Sequence, residues 1–160
     1  MANSVVLQAE DTILINGSAI ADFSDGDVAT LDFPNEICTI KTGYDGNTIL
    51  AFNHSGKQAT LQIKVLRGSA DDQRLNGLIR NNMTVFANTA PLYATVKKKV
   101  ANAGIVNGVP TITGIVADTY TLINGAVKKV PAAKTNTEGD SEQAVAVYDL
   151  AFGSGERSFA

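Results

Sequence analysis

Apolar and polar residues alternate along most of this chain. In Thr60-Leu61-Gln62-Ile63-Lys64-Val65-Leu66-Arg67, Leu61, Ile63 and Val65 fall on one side and Gln62 and Lys64 on the other. A period of two belongs to a strand with one buried face, because successive side chains point to opposite sides. The same alternation, with β-branched and aromatic residues, predicts strands at 12–15, 28–33, 37–41, 84–87, 93–100, 111–116 and 144–152. Turn signals separate them. Asn16-Gly17 and Asn124-Gly125 predict tight hairpins, since a type I′ turn needs positive φ at both central residues. Asp25-Gly26 and Asp45-Gly46 predict further turns.

One segment departs from this period. Over 69–80, Leu75, Leu78 and Ile79 recur at helical spacing. Ser69 can cap the first turn, with Asp72 three residues on, and Asp71 suits the positive end of the helix dipole. Gly77 weakens the helix, so about three turns at most are expected. The polar stretch 131–143 predicts an exposed, mobile loop. The fold class expected is mainly β: an antiparallel β-sandwich or small barrel with one short flanking α-helix.

Composition narrows the functional classes. The chain has 160 residues, 44% hydrophobic and 18% charged, which suits a single domain over 1–160 with a substantial core. A net charge of -3 supplies no field that would attract phosphates. Cys38 is the only cysteine, so no intramolecular disulfide forms and a reducing compartment is expected. The first residues lack a basic region followed by an apolar run, and no stretch reaches the roughly 20 apolar residues of a membrane span. Neither a signal peptide nor a membrane partner is expected.

Catalytic chemistry finds little footing. His54 is the only histidine, which leaves no multi-histidine metal site, and no nucleophile motif accompanies it. It reads as a solvated loop residue. Cys38, at strand period, reads as a small buried hydrophobe rather than a nucleophile. Asp22, Asp25 and Asp27 surround a turn, but their spacing does not match a calcium loop and no bidentate glutamate follows. Lys97-Lys98-Lys99, inside a strand pattern, could meet an acidic partner or nucleic acid, or form a charged edge that discourages wrong strand pairing. No aromatic platform favours nucleic acid. No catalytic residue, cofactor or metal is expected.

The segments Lys41-Thr42-Gly43-Tyr44-Asp45-Gly46-Asn47-Thr48, Asn53-His54-Ser55-Gly56-Lys57-Gln58-Ala59-Thr60-Leu61-Gln62-Ile63 and Gly68-Ser69-Ala70-Asp71-Asp72 carry a resemblance. So do Ile15-Asn16-Gly17, Ala21-Asp22-Phe23 and Gly26-Asp27. A Gly-x-Asp-Gly turn, a Ser-Gly strand start, an alternating strand and a helix opening with Ser-x-x-Asp follow in order. Over about residues 10–82 the chain resembles the tail tube proteins of contractile-tailed bacteriophages and pyocin-like particles; residues 102–134 add no support. The resemblance implies a β-sandwich with a flanking helix, assembled as hexameric rings stacked into a hollow conduit for DNA. It further implies tail sheath, baseplate and tape-measure proteins as partners, genomic DNA passing without specific binding, and a place in the virion tail after assembly in the host cytoplasm.

The segment 42–58 is the candidate contact between subunits. Gly43, Asp45-Gly46 and Ser55-Gly56 supply turns at its ends, and Ile49, Leu50 and Phe52 between them are too apolar for a tip left in water. The expected interface residues are Ile49, Leu50, Phe52, Asp45 and Gly46. The opposing expectation is an ordinary strand folded onto the subunit's own core. Two other functional readings stand beside the tube subunit: a baseplate or tail adaptor, and a small hydrolase using His54.

Overall fold

A computed structural model describes residues 4–7, 11–24, 26–84 and 90–159. The strands are β1 (Ser4–Leu7), β2 (Thr12–Ile15), β3 (Ser18–Ala19), β4 (Ala29–Asp32), β5 (Cys38–Thr42), β6 (Thr48–Phe52), β7 (Ala59–Leu66), β8 (Leu92–Val106), β9 (Val109–Val127) and β10 (Val145–Phe159). The helix α1 (Ala70–Thr84) lies between β7 and β8. The main sheet runs β3-β2-β8-β9-β10-β7-β4, and β1 pairs with β8 along the edge that β2 also uses. Strands β5 and β6 form a separate two-stranded sheet. The fold is mainly β and antiparallel with one helix, as the alternating pattern predicts.

The alternation finds its physical basis where β7 meets β10. Leu61 lies opposite Leu150, Ile63 opposite Tyr148 and Val65 opposite Ala146, and all six are buried. Opposed residues share a face of the sheet. That face also receives Ile13 and Ile15 from β2, Ala94 from β8 and Leu122 from β9. Leu31 of β4, the opposite edge strand, packs on the same cluster. A single cluster fed from both edges requires the sheet to curl around it. Burial of each large aliphatic side chain contributes about 1.5–3 kcal/mol.

The helix closes on this core through Leu75, which is fully buried, and Ile79, with Leu78 partly buried beside them. Its start is capped as the sequence predicts. The Asp72 amide donates to Ser69 Oγ at 3.3 Å, and the Gly68 amide donates to Asp72 Oδ2 at 2.8 Å. The helix runs for 15 residues, about four turns, longer than expected. Thr84, expected to open a strand, is its last residue; 85–87, the rest of that expected strand, lie outside the described residues. Strand propensity at one threonine is a weak preference that a packed helix overrides.

The largest departure concerns Asn-Gly pairs. Asn16-Gly17 forms the expected hairpin, with φ of 51° and 80°. Asn124-Gly125 does not: it lies within β9. Between Leu92/Ala94 and Gly125/Leu122, β9 uses one more residue than β8, and Asn124 takes φ 57° in this bulge. Pairing to β10 continues through it, and a Cβ on Gly125 would stand 2.3 Å from the Phe152 ring. The long hairpin turns instead at Asn107-Gly108, with φ of 52° and 79°, so Val106 faces Val109. The expected strands 93–100 and 111–116 therefore extend to 15 and 19 residues. The lysine run is not on a sheet edge, because β8 has β9 on one side and β1 and β2 on the other. The exposed loop 131–143 is tied down by Arg67, whose guanidinium donates to the carbonyls of Gln143, Ala132 and Val145.

Candidate assembly interface

The β5–β6 hairpin carries all five expected interface residues. Its register pairs Cys38 with Phe52, Ile40 with Leu50 and Lys41 with Ile49. At the tip, the Gly43 amide donates to the Asn47 carbonyl at 2.7 Å and the Gly46 amide to the Gly43 carbonyl at 3.0 Å. Gly46 takes φ 81°, so Asp45 and Gly46 form the turn itself. The base is held by the Asn53 amide on the Ile37 carbonyl at 2.7 Å and by Asn53 Nδ2 on Thr39 Oγ1 at 3.1 Å. Gly56 is buried there, since a Cβ would stand 2.7 Å from Ile37 Cα.

This hairpin contributes nothing to the core. Ile49, Leu50 and Phe52 keep 60%, 69% and 55% of their surface exposed, so they do not join the chain's own core. Cross-strand pairing places Ile40, Leu50, Cys38 and Phe52 on one face, which makes that face apolar. Cys38 is exposed, contrary to expectation. A period of two marks a face that can be buried, and in this hairpin the chain's own core does not reach it. His54 sits in a 3-10 turn, His54–Lys57, with its ring edge-on to Phe52 at 5.1 Å.

Where the hairpin base meets the main sheet, a groove of about 500 Å³ opens between Phe33, Ile37, Phe52, Tyr120, Lys57 and Arg157. One wall is set by a fork-to-fork ion pair. Arg157 Nε donates to Asp118 Oδ1 at 2.9 Å and Nη2 to Oδ2 at 2.8 Å. These bonds hold the Asp118 carboxyl below its usual range, against the opposing effect of its burial, and raise Arg157. The guanidinium also lies 4.8 Å from the centre of the Phe159 ring and 5.6 Å from that of Tyr120.

A second apolar element escapes the sequence reading. The outer part of the β8–β9 hairpin extends past the pairing of β10, which ends at Asp118. There Ile105, Val109, Ile112 and Ile115 are exposed, as are Val5 and Leu7 of the adjoining β1. Register puts Leu7 and Val5 on the face of Val100 and Asn102, and Ile115 on the face of Ala101. Apolar residues thus occupy both faces of the ribbon. A strand with apolar residues on both faces has no alternating pattern, so periodicity could not reveal it. The legible signal was the Val106-Asn107-Gly108-Val109 turn.

The remaining candidates lie apart from these surfaces. The Asp71 carboxylate accepts the amides of Ala21 at 2.8 Å and Asp22 at 3.0 Å, tying the helix to the chain after β3. Burial raises its pKa, but these amides and Arg74 together outweigh burial and lower it. Asp27 is exposed, and Asp25 lies outside the described residues. Among the described residues, no three His, Cys, Asp or Glu side chains cluster to hold a metal ion. Lys98 pairs with Asp11 at 3.3 Å.

No family model matches this sequence, and no curated protein does. Solved structures do match. The chain is similar to a chain of an extracellular contractile injection system, the PVC sheath-tube complex in its extended state, at a TM-score of 0.50 and 14% identity. The match covers 94% of this chain and 88% of that one. It is similar to the tube-terminating cap of the anti-feeding prophage at the same TM-score and coverage, with 10% identity. A looser likeness, at a TM-score of 0.35 and 11% identity, links it to Hcp1 from Flavobacterium johnsoniae, over 94% of this chain and 97% of that one. The chain therefore shares a fold with proteins of contractile injection systems.

Proposed function

We propose that this chain is a structural subunit of the tail tube of a phage or a related contractile injection device. Its copies form rings of six that stack into a hollow conduit. The observation that carries this reading is the pair of β-hairpins that each leave several large apolar residues exposed, β5–β6 and the outer half of β8–β9. Apolar surface on two extended ribbons is unfavourable in water and becomes stabilising when another copy covers it. The fold shared with a sheath-tube complex and a tube cap supports the same reading.

On this reading the function needs no catalysis, cofactor or metal. Its partners are further copies of itself, then sheath, baseplate and tape-measure proteins. The conduit passes genomic DNA without binding it, in keeping with a net charge of -3. Its place is the particle's tail, assembled in the host cytoplasm. Sedimentation of the purified protein over a hundredfold range of concentration tests self-assembly. Growth into large species with rising concentration is expected, and a monomer throughout overturns the proposal. The alternative is an adaptor at the baseplate, which would stop at one closed ring or trimer.

A further inference from the structure

We infer that the tip of the β5–β6 hairpin docks, through Tyr44 and Asp45, into the groove at the base of the same hairpin on a second copy of this chain. This rests on the tube-subunit reading and names the acceptor that the reading leaves open.

Four observations meet here. Tyr44 is the most exposed of the large hydrophobic side chains described, at 105% of its reference surface, an unfavourable place for an aromatic ring unless something covers it. Asp45 beside it has no charged partner among the described residues, and neither has Lys57 at the groove. The groove offers what such a tip lacks: the rings of Phe33, Phe52 and Tyr120 for Tyr44, and the cations Lys57 and Arg157 for Asp45. Asp118 engages Nε and Nη2 of Arg157, which leaves Nη1 for another acceptor.

The occupant must come from a second copy. Strands of five residues at about 3.4 Å per residue put the tip about 17 Å from its own base, so a hairpin cannot fill its own groove. A tip-to-base contact is heterologous: each copy gives a tip and receives one, so the contact repeats around a ring or along a stack. The apolar stripe Ile40 and Leu50 runs on from Phe52 at the groove, so a docked neighbour would cover it too. A carboxylate meeting cations beside aromatic rings fixes register and rejects misaligned pairs.

Two measurements test this on the full chain. The first places the photo-cross-linker p-benzoylphenylalanine at Tyr44 and mixes unlabelled with nitrogen-15-labelled protein. Cross-links are expected between unlike chains, to peptides containing Phe52, Lys57, Tyr120 or Arg157. The second compares Asp45→Lys, Lys57→Glu and the double variant. Each single reversal should raise the concentration for half-assembly by about tenfold, and the double should restore it. Wild-type protein that assembles while Tyr44 cross-links elsewhere, or single reversals that change nothing or are not rescued, overturns the docking contact and leaves the tube reading standing. Wild-type protein that never assembles overturns both.

Discussion

The hydroxyl of Tyr148, near the start of β10, donates to the Asp72 carboxylate in the first turn of α1 and lies 3.0 Å from the Asp72 carbonyl oxygen. Only 1% of Tyr148 is exposed, so this contact joins helix to sheet inside the core. Burial raises the Tyr148 pKa, and the Asp72 carboxylate raises it further, so the phenol stays neutral across ordinary pH. Tyr148→Phe keeps the ring's packing but leaves both Asp72 oxygens without this donor. A loss of about 1–3 kcal/mol in denaturant unfolding is expected. Leu75→Ala, which empties the helix's buried core position, should cost about 2–5 kcal/mol, and Ser69→Ala about 1 kcal/mol. Equal tolerance of all three would mean that the helix is not packed as described.

Acid should loosen the fold in a defined window. Asp71 and Asp118 both have lowered folded-state pKa values, below the ordinary 3.8. A carboxylate with a depressed folded pKa adds stability that is present above its unfolded pKa and is lost as pH falls through the folded one. Thermal midpoints should therefore hold steady from neutral pH down to about 5 and decline below about 4. Asp118→Asn should lower the midpoint at neutral pH and flatten the acid decline. An unchanged acid decline in Asp71→Asn, Asp118→Asn would contradict these assignments.

The two glycines that follow asparagine in β9 and at its start should respond differently to substitution. Gly108 takes φ 79° at the far end of the long hairpin, with open space around its Cα. Gly125 is packed under Phe152. Gly108→Ala should cost about 1 kcal/mol through backbone strain, confined to the outer hairpin. Gly125→Ala forces the Phe152 ring aside and should cost about 1–3 kcal/mol of global stability. Hydrogen exchange separates the two, with protection in β10 falling only for Gly125→Ala.

These glycines also mark where sequence reading worked and where it stopped. Leu61, Ile63 and Val65 announced a half-buried strand because the core covers one face and water the other. Ser69 and Asp72 announced the helix start because the cap is local chemistry. Asn16-Gly17, Asn107-Gly108 and Asn124-Gly125 carry the same dipeptide, yet the third is a bulge. Pairing to β10 on its far side, a tertiary fact, decides that outcome. The hairpin carrying Ile49, Leu50 and Phe52 was legible as an apolar segment between turns. The groove at its base was not, because Phe33, Tyr120 and Arg157 come together only through the sheet order.

Removing the hairpin tip should separate folding from assembly. Replacing residues 42–48 with Asn-Gly keeps the Lys41–Ile49 pair beside a two-residue turn. No core residue is lost. The shortened protein should unfold at the wild-type midpoint yet fail to grow beyond small species in sedimentation. Growth equal to wild type would remove the tip from any part in assembly.

Electron microscopy of the purified protein at high concentration shows whether the chain builds a stacked tube. End-on rings with six-fold symmetry around an open centre, and side views of long stacks of uniform width, are expected. Single particles at every concentration, or closed rings that never stack, would contradict it.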